Sequence, residues 1–329
     1  MKHVLMLLAL GGALAAPAYC DERGDAIAWL EKMATAAKKL NYTGTFTYRS
    51  YQGGGDAETS RITHFVDASG EFERLEVLDG SPREIIRSND EVKCFLPDDK
   101  MVIVEKRGQY KAFPALLPAS AGKLDAYYRM RLGDIERVAG LDSQLVILEP
   151  RDALRYGHHF WADIASGLLL KARMVDERNE IIEQFVFSQL QVNGAISKEA
   201  LKPRFDTDSK TWRIHDAHSS QSLSAGSGWQ FKVQLPGFRK SAGMQRQSGA
   251  VDGKRITHFV FTDGLAAISV FIEPLEGQPP ALEQDAAMSS AGAINVYKRL
   301  AGNYMLTVLG AVPMDSLKRL GDGMEPRKK

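Results

Sequence analysis

Two groups of residues have the types and the closeness in sequence to suggest a metal. In RYGHHFWADIASG, His158, His159 and Asp163 offer two imidazoles and a carboxylate. The segment reads as a strand, however, and successive strand side chains point to opposite faces. His158 and His159 therefore diverge, while His159 and Asp163 share a face roughly 13 Å apart at the usual strand rise. Zinc ligands must all lie about 2 Å from one ion, so the stretch reads as strand, turn and strand with solvated polar positions. The second group, His215 and His218 in HDAHSSQS, has the i, i+3 spacing that chelates on a helix. It falls in a loop-like segment with no Cys, Glu or third His beside it. Nucleophile signatures are missing as well: the chain has no G-x-S-x-G, H-E-x-x-H or C-x-x-C. GAVDGKR, from Gly249, imitates a phosphate loop with the wrong spacing, and puts Arg255 where a hydroxyl would hold magnesium. Acid pairs such as Asp98-Asp99 lie in turns, where acids are the default. The expectation is a non-catalytic chain with no metal and no cofactor; an enzyme would need a site assembled only in three dimensions.

Binding remains. Phe46, Tyr48, Phe65, Phe72, Phe95, Phe160, Phe185 and Phe187 fall at strand positions. They are either an ordinary core or the wall of an apolar cavity for acyl chains, with Arg83, Arg87, Lys106 or Arg107 near a rim for an anionic head group. Composition alone favours the ordinary core. Residues 1–18 carry one lysine and no acid, and without them 41 basic side chains face 41 acidic ones. Such balance argues against nucleic acid, which needs a concentrated positive field.

These residues must be positioned by elements, and the chain marks those clearly. Met1-Lys2-His3, the apolar run Val4–Ala16 and the Ala16-Pro17-Ala18 site read as an export signal over 1–18. The run is shorter than the ~20 residues of a spanning helix, so an exported chain, soluble after signal removal, is expected. Cys20 and Cys94 make no framework, and whether they pair is left open. Asp25–Leu40 has helical spacing. From Tyr42 to Gln191, about ten or eleven short strands with turn punctuation follow in hairpin order. That many antiparallel strands curl toward a barrel. The expected fold is α+β: a large antiparallel half-open β-barrel with covering helices over residues 19–191, the second helix near Leu116–Ala126. A linker over 192–212, a small α+β domain over 213–322 and a tail over 323–329 complete it. RITHFV occurs at Arg61–Val66 and again at Arg255–Val260, each followed by a turn with Gly70 or Gly264. The flanks do not match, so the copies read as two hairpins and not as a duplicated domain.

At RDALRYGHHFWADIASGLLLKARMVDERNEIIEQFVFSQL the chain resembles the RseB/MucB family of periplasmic regulators of the sigma-E response. YTGTFTY, RVAG at Arg137–Gly140, LPGF at Leu235–Phe238 and DGLAAISVFIEPL at Asp263–Leu275 agree, in the family's order. The resemblance implies a lipoprotein-carrier-like N-terminal domain and a smaller C-terminal domain. It also implies that both bind the periplasmic segment of a membrane-spanning anti-sigma factor, shield it from site-one proteolysis, and release it on sensing lipid or lipopolysaccharide fragments. A periplasmic lipid or lipoprotein carrier is the alternative. Oligomeric state stays open, a homo-oligomer included. Phe271 and Ile272 point to opposite faces of one strand; one should be core, and the exposed one is the expected partner contact.

Overall fold

The computed structural model describes residues 22–52, 57–106, 121–205, 211–216, 221–222, 228–247, 255–275 and 286–327. The export signal, Cys20, Arg107 and His218 lie outside the described residues, as does the side chain of Lys106.

The first helix, α1, spans Glu22–Lys39. Ala26, Leu30, Met33 and Ala37 recur at helical spacing and are at most 4% exposed, so one apolar stripe is buried. Lys38 and Lys39 sit in its last turn, where cations suit the helix dipole. Six strands follow in hairpin order: β1 Tyr42–Ser50, β2 Ala57–Asp67, β3 Gly70–Val77, β4 Glu84–Ser88, β5 Glu91–Leu96 and β6 Met101–Lys106. After a 3-10 turn at Gly122–Ala126 come β7 Tyr128–Val138, β8 Leu141–Pro150, β9 Gly157–Asp163, β10 Leu169–Val175 and β11 Ile181–Val192. β11 returns to pair with β1, so the two runs join in one sheet, and β12 (Arg213–Asp216) adds to β6 in parallel. Twelve described strands therefore form one open sheet, with β12 and β7 at its ends.

Irregular pairing at Thr45/Phe46 and at Leu132/Ile135 bends the strands there. α1 lies on the concave side, against β7, β8 and β10. Its stripe joins Tyr42, Phe46, Ile62, Phe160, Phe185 and Phe187 in one cluster. Gly44 of YTGTFTY admits nothing larger: a Cβ there would lie 2.6 Å from the Phe187 ring and 2.7 Å from the Gln189 carbonyl.

Two boundaries differ from the sequence expectation. Arg213–Asp216 belongs to the first sheet, and the segment from Ala200 to Arg204 is held on that sheet's outer face. There Arg74 donates to the Ala200 carbonyl, the Arg204 N–H donates to Glu84, and Arg204 pairs with Glu76. The expected tail is also wrong, because Met324–Pro326 forms a strand, β21, that pairs with β14 (Trp229–Phe231). Met324 is fully buried, which no free tail would allow.

The second sheet runs β13-β15-β16-β17-β20-β19-β18. Its strands are β13 Gln221–Ser222, β15 Arg239–Gln247, β16 Arg255–Thr262, β17 Ala267–Pro274, β18 Ala286–Ala291, β19 Ile294–Leu300 and β20 Tyr304–Gly310. Helix α2 (Met314–Asp322) packs on β19 and β20. The two RITHFV copies are β2 and β16, each leading into a hairpin. They bury differently: β2 buries Ile62 and His64 in alternation, whereas β16 buries the run His258–Phe261. One strand faces a core on one side only; the other is covered on both.

Candidate functional site

Three segments far apart in sequence meet where the domains join. The β8–β9 connection, RDALRY, is tightened by Asp152, whose Oδ1 accepts the Leu154 N–H at 3.0 Å, an Asx-type turn. It projects Leu154, 6% exposed, into the second domain's core beside Phe259, Leu306 and Leu317. Ser316 of α2 donates to the Leu154 carbonyl at 2.8 Å, and Asn295 donates to the Tyr156 hydroxyl at 3.1 Å. A loop of the first domain is thus a packed member of the second.

Arg155 sits at the centre of this joint. Its guanidinium donates to Asp263 at 2.6 Å, and both side chains are 0% exposed. It also donates to the Pro236 carbonyl at 2.5 Å and to both carboxylate oxygens of Asp152 at 3.0 and 3.1 Å. The rings of Tyr127, Tyr128 and Phe238 surround it at 4.8, 5.6 and 5.0 Å. Asp263 is equally engaged: Oδ2 accepts the Tyr128 hydroxyl at 3.1 Å, and Oδ1 accepts the N–H groups of Leu265 and Ala266 at 2.8 Å each. Burial works against the charge on Arg155, but Asp152 and Asp263 outweigh it and raise its pKa. Burial and Asp263 hold the Tyr128 phenol well above its ordinary value. Gly237 completes the joint: its φ is +84° and a Cβ would lie 2.9 Å from the Tyr127 ring, so only glycine fits. Beside the joint opens a cavity of about 670 Å³, lined by Arg131, Glu149, Asp152, Arg155, His159 and Pro313 among others.

The concave face is the second candidate. Register places Ile62, Leu75, Ile85, Cys94 and Ile103 in one row across β2–β6. Only Ile62 is fully buried; the other four are half-buried. The neighbouring row is polar: Tyr42, His64, Glu73 and Arg87. Tyr42 stacks on His64 at 4.9 Å, the His64 Nδ1 donates to the Leu40 carbonyl at 2.8 Å, and Arg87 pairs with Glu73. The Tyr42 hydroxyl is buried and has no hydrogen-bond partner among the described residues.

Of the aromatics singled out in the sequence, Phe46, Phe160, Phe185 and Phe187 come together in the concave core. Tyr48 is 38% exposed and donates to Glu183 at 2.5 Å. Phe65, Phe72 and Phe95 point away from that side. Each follows or precedes an inward residue, and the Lys198 ammonium lies 5.7 and 5.9 Å from the Phe65 and Phe72 rings on the outer face. Arg83 reaches Glu58 at 2.9 Å, and of the two rim cations whose side chains are described, Arg87 is the one placed in the concave polar row. His158 and His159 diverge: His158 stacks on Phe160, His159 faces Trp161. Asp163 accepts from Ser166 in a turn. Ile272 is core at 2% exposed, while Phe271 is half-buried and stacks on His258 at 4.1 Å. The aliphatic row and the Arg155 joint were missed by composition. The joint's only sequence signal was that RDALRY, LPGF and DGLAAIS all belong to the stretches carrying the family resemblance.

The model of the MucB/RseB N-terminal domain matches residues 25–205, and that of the C-terminal domain matches residues 224–325. This chain belongs to the MucB/RseB family. Within it, the chain is 29% identical over 330 residues to the sigma factor AlgU regulatory protein MucB of Pseudomonas aeruginosa, covering 99% of this chain and 98% of that one. It is 24% identical over 304 residues to the sigma-E factor regulatory protein RseB of Escherichia coli K12, covering 91% and 90%. A crystal structure of MucB in complex with MucA(peri) superposes with TM-score 0.71 at 27% identity, covering 93% of this chain and 100% of that one. The MucB/RseB members matched here are named as regulatory proteins.

Proposed function

We propose that this protein is a periplasmic negative regulator of a sigma-E-type envelope stress response. It binds the periplasmic segment of a membrane-spanning anti-sigma factor, shields that segment from site-one proteolysis, and releases it on capturing lipid or lipopolysaccharide fragments. The observation that carries this reading is the match through both domains to MucB, which has been solved in complex with MucA(peri). Two features of the fold support the rest. The domains are locked through a buried charge pair, so a ligand preferring another arrangement would weaken partner binding by linkage. The half-buried aliphatic row beside a polar row offers an acyl chain a wall and its head group hydrogen-bond partners. Phe271 is the proposed partner contact on the second domain; Ile272 serves its core.

The test uses the mature protein and the periplasmic segment of the anti-sigma factor from the same organism. Binding should be stoichiometric, should slow cleavage by the site-one protease, and should weaken when lipopolysaccharide fragments are added. Failure to bind or to protect the segment would refute the regulatory reading. Obligate acyl cargo without anti-sigma binding would favour a lipid carrier.

A further inference from the structure

Of the edge strands of the two large sheets, β18 is the least protected. Charge, bulges and shortness are the usual devices that keep an edge from pairing with another chain. β7 carries Arg129, Arg131, Asp134, Glu136 and Arg137, and its pairing is irregular at Leu132/Ile135. β12 has four residues, with Arg213, His215 and Asp216 among them, and β13 has two. β18 has none of these devices. Its AAMSSA holds no charge and no proline, and its six pairs with β19 run without a shift, from Ala286 with Arg299 to Ala291 with Ile294. Residues 287–291 are exposed in succession, Met288 at 58%, so neither face of the strand is covered. Residues of an antiparallel strand alternate between bonding the neighbour and pointing away from it. Every second N–H and C=O of β18 therefore points off the sheet, where no strand pairs with it among the described residues.

The edge is also held rigidly. The turn of the β18–β19 hairpin lies against the first domain: Ala293 is 3% exposed in a cluster with Tyr156, Met174 and Ile182, and a Cβ on Gly292 would lie 3.0 Å from the Ser50 hydroxyl. Asn295, 7% exposed, donates to the Tyr156 hydroxyl at 3.1 Å and to the Val312 carbonyl at 2.9 Å. Its side-chain oxygen lies 2.6 Å from the Ser290 hydroxyl, which donates to it. A strand fixed in this way loses little freedom when another pairs with it. An added peptide strand takes affinity from main-chain bonds and specificity from pockets for its alternate side chains. The exposed Ala, Met and Ser side chains of β18 offer a foreign sequence little to recognise. A second copy needs no such pockets, because two-fold symmetry fixes its register. An axis normal to the sheet keeps each side chain on its own face, so it must pass through a residue. At Ser289 it sets Ala287 opposite the partner subunit's Ala291 and Met288 opposite the partner subunit's Ser290, and no like charges meet.

We propose that this chain self-associates by antiparallel pairing of β18 with β18 of a second copy, joining two seven-stranded sheets into one. This inference does not rest on the regulatory reading. One short edge is small against the about 1,200–2,000 Å² of a standard interface, so the dimer should form reversibly and with rising concentration. Sedimentation equilibrium on the full mature chain should show this monomer–dimer equilibrium, and hydrogen exchange should show β18 amides gaining protection as concentration rises. Ser289 is exposed, so its variants should fold. Ser289→Glu and Ser289→Lys each set like charges opposite one another across the axis. Each should weaken dimerisation at least tenfold, and an equimolar mixture of the two should recover it. A wild-type chain that stays monomeric at every concentration, a dimer untouched by both variants, or a weakening that the mixture does not repair would overturn the proposal. So would a monomer in which Ser289→Glu abolishes capture of the anti-sigma segment, since the edge would then serve a peptide.

Discussion

Replacing Arg155 with Met removes the charge at the domain joint while keeping most of the side-chain volume between Tyr127 and Phe238. The pair it breaks is 0% exposed on both sides, and removing one partner of a buried pair costs about 3–5 kcal/mol. Asp263 would retain the Tyr128 hydroxyl and two backbone N–H groups, so the lower end, about 3 kcal/mol, is expected. That is about a hundredfold in the docking equilibrium. The loss should fall on the second domain, because its core contains Leu154, which the undocked loop would withdraw. Native-state hydrogen exchange on the full chain reads this directly. Amides of β20 and α2 should lose protection about a hundredfold, while those of α1 keep theirs. A double-mutant cycle with Asp263→Asn should return a coupling of about 1–3 kcal/mol. Protection reduced less than threefold in the second domain, or equally in both domains, would show that the pair does not hold the joint.

Leu154→Ala should destabilise by about 2–5 kcal/mol, the usual cost of a truncated core leucine. The loss should appear in the second domain although the residue belongs to a first-domain loop; a loss confined to β8 and β9 by hydrogen exchange would refute this. Burial and the neighbouring His159 push the His158 imidazole from 6.5 down to about 3. The folded state therefore keeps that ring neutral while the unfolded chain protonates it below about pH 6.5. Its contribution is complete above that value and declines by about 1.4 kcal/mol per pH unit down to about pH 3. Wild type should lose about 2 kcal/mol more than His158→Phe between pH 7 and pH 5 in urea unfolding. Parallel pH profiles for the two proteins would contradict the assignment.

The strands of both domains were legible in the sequence because alternation and turn residues are local signals. Gly70 and Gly264 occupy positive φ at the turns, where their type had marked a break. The helix at Glu22–Lys39 was visible through its apolar spacing, and family membership through linear motifs spanning both halves. What the sequence could not fix is which face of each strand turns inward. A one-residue shift exchanges the faces, and the irregular pairing at Thr45/Phe46 shows how locally such a shift arises. Choosing aromatics by type therefore mixed Phe46 and Phe187, which face the core, with Phe65 and Phe72, which do not. The aliphatic row from Ile62 to Ile103 exists only once five strands are in register.

Met324 and Arg213 marked the limits of reading boundaries from composition, since a short strand is recognised by its partner and not by its own residues. Arg155 marks the deeper limit. Read alone, it is one basic residue in a polar turn, a place where exposure is the rule. Its partner Asp263 is 108 residues away and Pro236 is 81 away, and only the docking of the two domains excludes water from them. The sequence by itself determined the longer elements, their order and the family, because these depend on neighbours along the chain. The tertiary structure alone decided the joint, because the strength of a charge pair depends on the solvent it has lost.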